Sequence, residues 1–363
     1  MSLSSRPLGL LAELTHACPL HCPYCSNPLV VSKPGKALST AAWDSAIGQA
    51  AEMGVLQCSL SGGEPLLFKD LDRLITTARR EGLYTNLITS SVGLTAARAV
   101  SLKDAGLDNV QISFQADSAE LGDSIAGARV HQAKLDAARH VTDAGLNLSV
   151  NVVLHRFSIE RIGPLADLAA SLGANRVELA HVQFYGWAFE NRRLLLPTRG
   201  QIRLADEAIV KIKERYRGAM EVLYVGSDYF EARPKPCMGG WGARFLTIDP
   251  DGFVLPCPTA RSIPGMRFDN VSDTTLKSIW EGSEAFQRFR GDQWMEEPCR
   301  TCEFKTADFG GCRCQAALLT GNAAATDPIC RLSPRRTEID ALLEEAGGDL
   351  SEAKFRTAPL RGS

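Results

Sequence analysis

The sequence predicts an α/β protein: a parallel sheet built from six β-α repeats, forming a partial (β/α)6 TIM-like barrel, followed by a cysteine-rich region. Two observations carry this. Strand-like apolar runs at 10–15, 55–60, 83–89, 109–114, 146–154 and 176–183 alternate with helical patterns at 40–52, 70–80, 95–104, 130–143 and 160–171. Glycine follows each of these helices (Gly54, Gly82, Gly106, Gly145 and Gly173), where a helix C-terminus favours it. Helices between consecutive strands imply a parallel sheet. A closed eight-fold barrel would need two more repeats, so the barrel is open. Parallel sheets of this kind place their chemistry at the C-terminal strand ends.

At 363 residues, one large barrel or two domains are both possible. A composition 45% hydrophobic and 23% charged is that of a folded globular chain. A net charge of −2 offers no electrostatic footprint for nucleic acid. No apolar run approaches the roughly 18 residues of a membrane span, and the N-terminus lacks a charged region followed by an apolar one. These features predict a cytoplasmic protein with no membrane partner. Eleven cysteines in a reducing compartment point to metal ligation rather than disulfides.

The first strand leads directly into Cys18-Pro19-Leu20-His21-Cys22-Pro23-Tyr24-Cys25, three thiols at C-x3-C-x2-C spacing. Thiolates are the usual ligands of a [4Fe–4S] cluster. Three of them hold three irons and leave the fourth open to a small chelating molecule. A structural zinc loop, which prefers four ligands in two pairs, or unrelated buried thiols are the alternatives. The spacing, with Tyr24 before the last cysteine, resembles the signature of the radical S-adenosylmethionine (SAM) superfamily. That resemblance makes Cys18, Cys22 and Cys25 the catalytic cluster ligands and SAM the chelate.

The turn after the second strand is Ser61-Gly62-Gly63-Glu64-Pro65. Alone it is an ordinary turn. In the radical SAM family such a stretch binds the methionyl amine of SAM, which implies that role for Gly62, Gly63, Glu64 and Pro65, with Glu64 as the side-chain acceptor. The same resemblance places Gln115, at the end of the fourth strand, and Asn151, on the fifth, where that family contacts ribose or carboxylate. Tyr24 is expected beside the adenine, with ordinary loop packing as the alternative.

A helix is expected at 197–217, after which the chain becomes richer in Gly, Pro and Cys. The expected organisation is therefore a barrel over 1–220, a cysteine-rich domain over 221–335, and a tail over 336–363, partly helical and partly disordered. Cys237, Cys257, Cys299, Cys302, Cys312, Cys314 and Cys330 follow the boundary. They resemble the SPASM extension of some radical SAM enzymes, which carries two auxiliary iron–sulfur clusters. The family's C-x2-C-x5-C-x3-C run is altered here: Asp308 stands at the third position, and Cys314 is an extra thiol. The resemblance assigns Cys237, Cys257 and Cys312 to a first auxiliary cluster, with Cys314 as its fourth ligand. Cys299, Cys302 and Cys330 then hold a second, with Asp308, a harder donor, in the vacant place. Either cluster is of the [4Fe–4S] or [2Fe–2S] type. A loop acid at Asp308 and a zinc ribbon over 299–314 are the competing readings. Cys58, among apolar strand residues, reads as a buried small hydrophobe. The six histidines form no ligand-spaced group.

Four further stretches narrow the resemblance: Cys22-Pro23-Tyr24-Cys25-Ser26-Asn27-Pro28, Asn86-Leu87-Ile88-Thr89-Ser90, Val182-Gln183-Phe184-Tyr185-Gly186-Trp187-Ala188 and Leu196-Pro197-Thr198-Arg199. They resemble the radical SAM enzymes of pyrroloquinoline quinone (PQQ) biosynthesis, from about residue 10 to residue 330. That family joins the γ-carbon of a Glu to the ring of a Tyr in a short ribosomal precursor peptide. The resemblance implies that peptide as substrate, a small peptide chaperone presenting it, and a flavodoxin or similar electron donor. A maturase of another peptide or protein, such as the sulfatase-maturing type, and a zinc-stabilised binding module remain as alternatives.

Overall fold

The structure, a computed structural model, describes residues 6–29 and 37–357. Its centre is a nine-stranded sheet. In chain order the strands are β1 (Gly9–Glu13), β2 (Gln57–Ser61), β3 (Tyr84–Thr89), β4 (Asn109–Phe114), β5 (Asn147–Leu154), β6 (Arg176–His181), β7 (Glu221–Val225), β8 (Phe245–Ile248) and β9 (Val254–Leu255). They lie in the order β7-β6-β5-β4-β3-β2-β1-β8-β9. All pairs are parallel except the β8–β9 hairpin. The six expected strands are all present in sequential order, the arrangement that short right-handed crossovers produce.

Helices α1 (Thr40–Glu52), α2 (Leu71–Arg80), α3 (Ala96–Asp104), α4 (Ala119–Ala126), α5 (His131–Asp143) and α6 (Ile162–Ser171) fill the crossovers. Helix α1 shows how they dock. Ser39 caps its N-terminus by accepting from the Ala42 N–H (3.2 Å), and Trp43, Ala46, Ile47 and Ala50 form one buried stripe at helical spacing. Each fully buried large side chain of this kind contributes roughly 1.5–3 kcal/mol. Short helices α7 (Gly186–Glu190) and α8 (Arg192–Leu195) follow β6, and then α9 (Arg199–Arg215) begins at a reciprocal cap between Thr198 and Gln201.

The sheet extends beyond six strands. The change of composition near residue 220 falls between α9 and β7, yet β7 pairs with β6, and β8 returns from the cysteine-rich region to pair with β1. These added strands are only two to five residues long, too short to carry a periodic signal. Helix α4 was not expected either, and it ends at Gly127 in the left-handed conformation. The tail forms a helix at Arg336–Glu344 and a further turn at Leu350–Glu352. Residues 358–363, on which part of the expected disorder falls, lie outside the described residues.

Candidate active site

The three-Cys loop leaves β1 at the C-terminal edge of the sheet, and the two motifs are locked together there by backbone. Gly63 N–H donates to the Thr15 carbonyl (2.5 Å), and Glu64 N–H to that of Ala17 (2.7 Å). A Cβ at Gly63 would lie 2.2 Å from the Ala17 oxygen, and one at Gly62, whose φ is +126°, 2.4 Å from the Thr15 oxygen. The glycine pair is therefore required by the approach of the cysteine loop itself. Pro65 opens the short turn that follows, and Glu64 caps it.

Glu64 has no solvent exposure. Its Oε1 accepts from the Thr89 hydroxyl (2.6 Å) and the Leu66 N–H (3.0 Å). Its Oε2 accepts from the Ser90 N–H (2.8 Å) and from the Ser90 hydroxyl. The carboxylate thus ties the glycine turn to the end of β3. Two of these four donors are hydroxyls, which can turn away when a cationic amine arrives.

Cys22 is buried, Cys18 and Cys25 are half-buried, and all three are free thiols. Cys22, Leu20, Ala126 and Val130 form a small apolar cluster against which Cys18 and Tyr24 pack. Burial pushes Cys22 up to about 12 and raises Cys18 and Cys25 as well. Burial thus favours the protonated thiols, and a metal must displace their protons to bind. Two cations face it. Lys134 of α5, brought down to about 8 by burial, donates from Nζ to the carbonyls of Ser90 and Ser113 (both 2.8 Å) and sits near Cys22, Glu64 and Cys18. Arg356 lies beside Cys25 and Cys18. Three free thiols, adjacent buried positive charge and a buried carboxylate turn suit an anionic thiolate-bound iron–sulfur cluster with an amine-bearing chelate.

Tyr24 is held from two sides. Gln115 Nε2 donates to its hydroxyl (3.1 Å), and its ring lies 5.5 Å from that of His155. Asn151 stands on the same face of β5 as Ser149 and Val153, level with Ser113 of β4. Cys58 is fully buried in the core.

In the second half, Cys237, Cys257, Cys312 and Cys314 converge. Cys312 touches both Cys237 and Cys314, Cys257 touches Cys314, and the hydrogen bonds from Cys237 and Cys314 hold the Cys312 thiol well below its ordinary range. The Tyr185 hydroxyl is 2.9 Å from Cys312 Sγ, and Thr259 Oγ1 is 3.2 Å from Cys257 Sγ. Cys299, Cys302, Asp308 and Cys330 line one small separate cavity. There Thr326 Oγ1 lies 3.6 Å from Cys299 Sγ, Phe304 N–H donates to Cys302 Sγ (3.4 Å), and Gly310 N–H to Asp308 Oδ1 (2.9 Å). Asp327 binds the Cys312 N–H (2.8 Å) and the Ile329 N–H (3.0 Å), so it joins the loops of the two groups.

A cavity of about 390 Å³ runs from the inward residues Leu11, Ser59 and Thr247 to Cys237, Cys257 and Cys312. An open cleft of about 600 Å³ lies between the three-Cys loop (His16, Ser26, Pro28) and Pro258, Thr259 and Arg261. Tyr185 lines both. Glu13, next along the inner face of β1, is raised to about 8 by burial and by neighbouring Asp249, against the pull of Arg261.

Lys134, Tyr185 and Arg356 were not expected at the site. Lys134 reads in sequence as an ordinary charge on a helix. Tyr185 falls in one of the stretches that carry the resemblance, without a role attached.

Comparison with known proteins agrees with this geometry. Residues 12–169 match the Radical SAM superfamily, and residues 237–303 an iron-sulfur cluster-binding domain, SPASM. The PqqA peptide cyclase of Streptomyces rochei is 54% identical over 339 residues, 93% of each chain. That of Gluconobacter oxydans (strain 621H) is 51% identical over 346 residues, 95% of this chain and 96% of the relative. Among solved structures, Streptococcus suis SuiB bound to S-adenosylmethionine shares the fold with a TM-score of 0.76 at 19% identity, over 90% of this chain and 78% of that one. The radical SAM cysteine loop, the auxiliary thiol groups and identity above one half to curated relatives along nearly the whole chain lead to one assignment: the chain belongs to the PqqA peptide cyclase family of radical SAM enzymes.

Proposed function

We propose that this enzyme joins the γ-carbon of a Glu to the ring of a Tyr in a PqqA-like ribosomal precursor peptide, an early step of PQQ biosynthesis. The observation that carries the reading is the cavity joining the barrel interior to the four-thiol group, with the open cleft beside the three-Cys loop. Cys18, Cys22 and Cys25 would hold a [4Fe–4S] cluster. When bound, that cluster and SAM supply one-electron cleavage of SAM to methionine and 5′-deoxyadenosine, with hydrogen abstraction from the peptide.

The chain's own residues do the positioning. Glu64 offers a carboxylate to the SAM amine while Gly62, Gly63 and Pro65 shape the turn around it. Tyr24, fixed by Gln115, flanks the adenine, and Asn151 faces the ribose or carboxylate. The barrel walls exclude water and hold the two peptide side chains in reacting orientation. Cys237, Cys257, Cys312 and Cys314 would hold the first auxiliary cluster, and Cys299, Cys302, Cys330 and Asp308 the second. Residues 1–220 then carry the SAM chemistry and 221–335 the auxiliary clusters. A small PqqD-like chaperone presents the peptide, a flavodoxin-like protein reduces the enzyme, and the reaction is cytoplasmic. Among the described residues no helix is long and apolar enough to cross a membrane.

The test is anaerobic reconstitution with iron and sulfide, then incubation with SAM, reductant, peptide and chaperone. Mass spectrometry should show a peptide lighter by two hydrogens, with fragmentation blocked between the linked Glu and Tyr. An unmodified peptide alongside normal SAM cleavage would reassign the enzyme to another substrate.

A further inference from the structure

The C-terminal segment, which composition marks as a tail, folds back onto the three-Cys loop. Arg356 N–H donates to the His21 carbonyl (2.9 Å), and the His21 ring Nδ1–H donates to the Arg356 carbonyl (2.7 Å). The Arg356 guanidinium donates to the carbonyl of His16. Asn191 clasps the same segment from below: its Nδ2 donates to the carbonyls of Pro23 (2.9 Å) and Lys354 (2.8 Å), and its Oδ1 accepts from the Lys354 N–H (2.7 Å). Phe355 packs over Gly127, where an added Cβ would lie 3.3 Å from the ring. The strap therefore grips the loop at positions 16 and 21, and Asn191 ties it to position 23, between and beside the cysteines.

Arg356 is only 4% exposed. A guanidinium removed from water needs an anion close by, yet among the described residues no carboxylate forms an ion pair with it. What lies beside it are the sulfurs of Cys25 and Cys18. Hydrogen bonding and nearby positive charge at cluster sulfurs raise a cluster's reduction potential. We infer that Arg356 is a positioning residue of the SAM-binding centre: it pins the three-Cys loop from the C-terminal strap and acts as counter-ion to the cluster-bound thiolates of Cys25 and Cys18. The inference rests on the reading of Cys18, Cys22 and Cys25 as cluster ligands.

The experiment compares full-length wild type, Arg356→Gln and Arg356→Lys after anaerobic reconstitution, without SAM or peptide. Iron content and redox titration followed by electron paramagnetic resonance are read for each cluster. Arg356→Gln should make the SAM-site cluster about tenfold harder to reduce at fixed potential, close to 60 mV for one electron. It should also speed loss of that cluster to a chelator several-fold, with the auxiliary signals unchanged. Arg356→Lys keeps the charge, so it should restore most of the potential while still losing iron faster than wild type. A wild-type potential in Arg356→Gln, or a full shift in Arg356→Lys, overturns the counter-ion role. Should Arg356→Gln fail to fold, as loss of the auxiliary signals would reveal, the Arg356→Lys potential alone decides. Absence of a SAM-site signal from wild type would instead refute the ligand reading beneath it.

Discussion

Glu64→Gln separates two jobs that one carboxylate performs. The side chain is fully buried and receives four hydrogen bonds, from the Thr89 and Ser90 hydroxyls and the Leu66 and Ser90 N–H groups. Glutamine keeps one acceptor oxygen and replaces the other with a donor. If the oxygen stays toward Thr89 and Leu66, the new NH2 faces the Ser90 hydroxyl, which can turn to accept, and the Ser90 N–H, which cannot. One buried backbone donor left unpaired costs about 1–3 kcal/mol, and loss of charge assistance in the two surviving bonds adds about 1 kcal/mol each. The sum, about 3–5 kcal/mol, is large against the marginal stability of a folded chain. The assay is the urea midpoint of the apoprotein, with neither SAM nor cluster present, beside SAM affinity of the reconstituted enzyme. Both should fall, affinity by about ten- to a hundred-fold if one charge-assisted contact is lost. Unchanged stability in Glu64→Gln would refute the tethering argument; unchanged affinity alone would leave Glu64 as a structural tie.

Three other outcomes follow from the same geometry. Cys18→Ala, Cys22→Ala and Cys25→Ala should each abolish 5′-deoxyadenosine formation while the auxiliary iron stays bound, and normal SAM cleavage by any of them would remove the ligand assignment. Asp308→Ala should leave uncoupled SAM cleavage largely intact, alter the signal of the second auxiliary centre and sharply reduce crosslinked product per SAM cleaved; an unaltered spectrum would make Asp308 a loop acid. Glu13 ionises near its ordinary value when unfolded but only at about 8 when folded, because burial and Asp249 oppose its charge. Between pH 4.5 and about 8 the unfolded chain therefore binds fewer protons at this position, so wild-type stability falls with rising pH there. The stability of Glu13→Gln relative to wild type should grow across that window in denaturant midpoints and level off above it. A pH-independent difference would contradict the assignment.

The barrel was legible because its signals are local and repeated. Buried strands alternate with amphipathic helices, and a glycine closes each expected helix. The cysteine spacing was legible because three thiols within eight residues need no tertiary information to be read as neighbours. Neither Lys134 nor Arg356 has such a signal. Lys134 belongs to a helix whose other charges face solvent, and only the fold shows its Nζ turned in to the carbonyls of Ser90 and Ser113. Arg356 follows a polar segment with no periodicity, and its partners His16 and His21 are more than three hundred residues away in sequence. The Gly62–Gly63 turn was legible in sequence, but the approach of the Thr15–Ala17 backbone that makes both glycines necessary was not.

Strand β8 explains how the two halves of the site are joined. It pairs with β1 in parallel register, Ala12 opposite Ile248, so the next residues along, Glu13 and Asp249, are neighbours on the inner face. Asp249 accepts from the N–H groups of Asp251 and Phe253 (both 3.0 Å) and pairs with Arg261, which fixes the hairpin leading to β9. Two residues after β9 comes Cys257, in the wall of the inner cavity. Strand β1 therefore leads at its end into the three-Cys loop and borders, through its hairpin neighbour, the four-thiol group. Rigid ladder hydrogen bonds set the separation of the two groups, whereas a flexible linker would let it drift. A fixed separation of the two groups is what the proposed crosslink needs, since it takes a hydrogen atom from the Glu γ-carbon and then a proton and an electron from the joined Tyr ring. The four-residue β8, too short for a periodic signal in sequence, supplies that fixity.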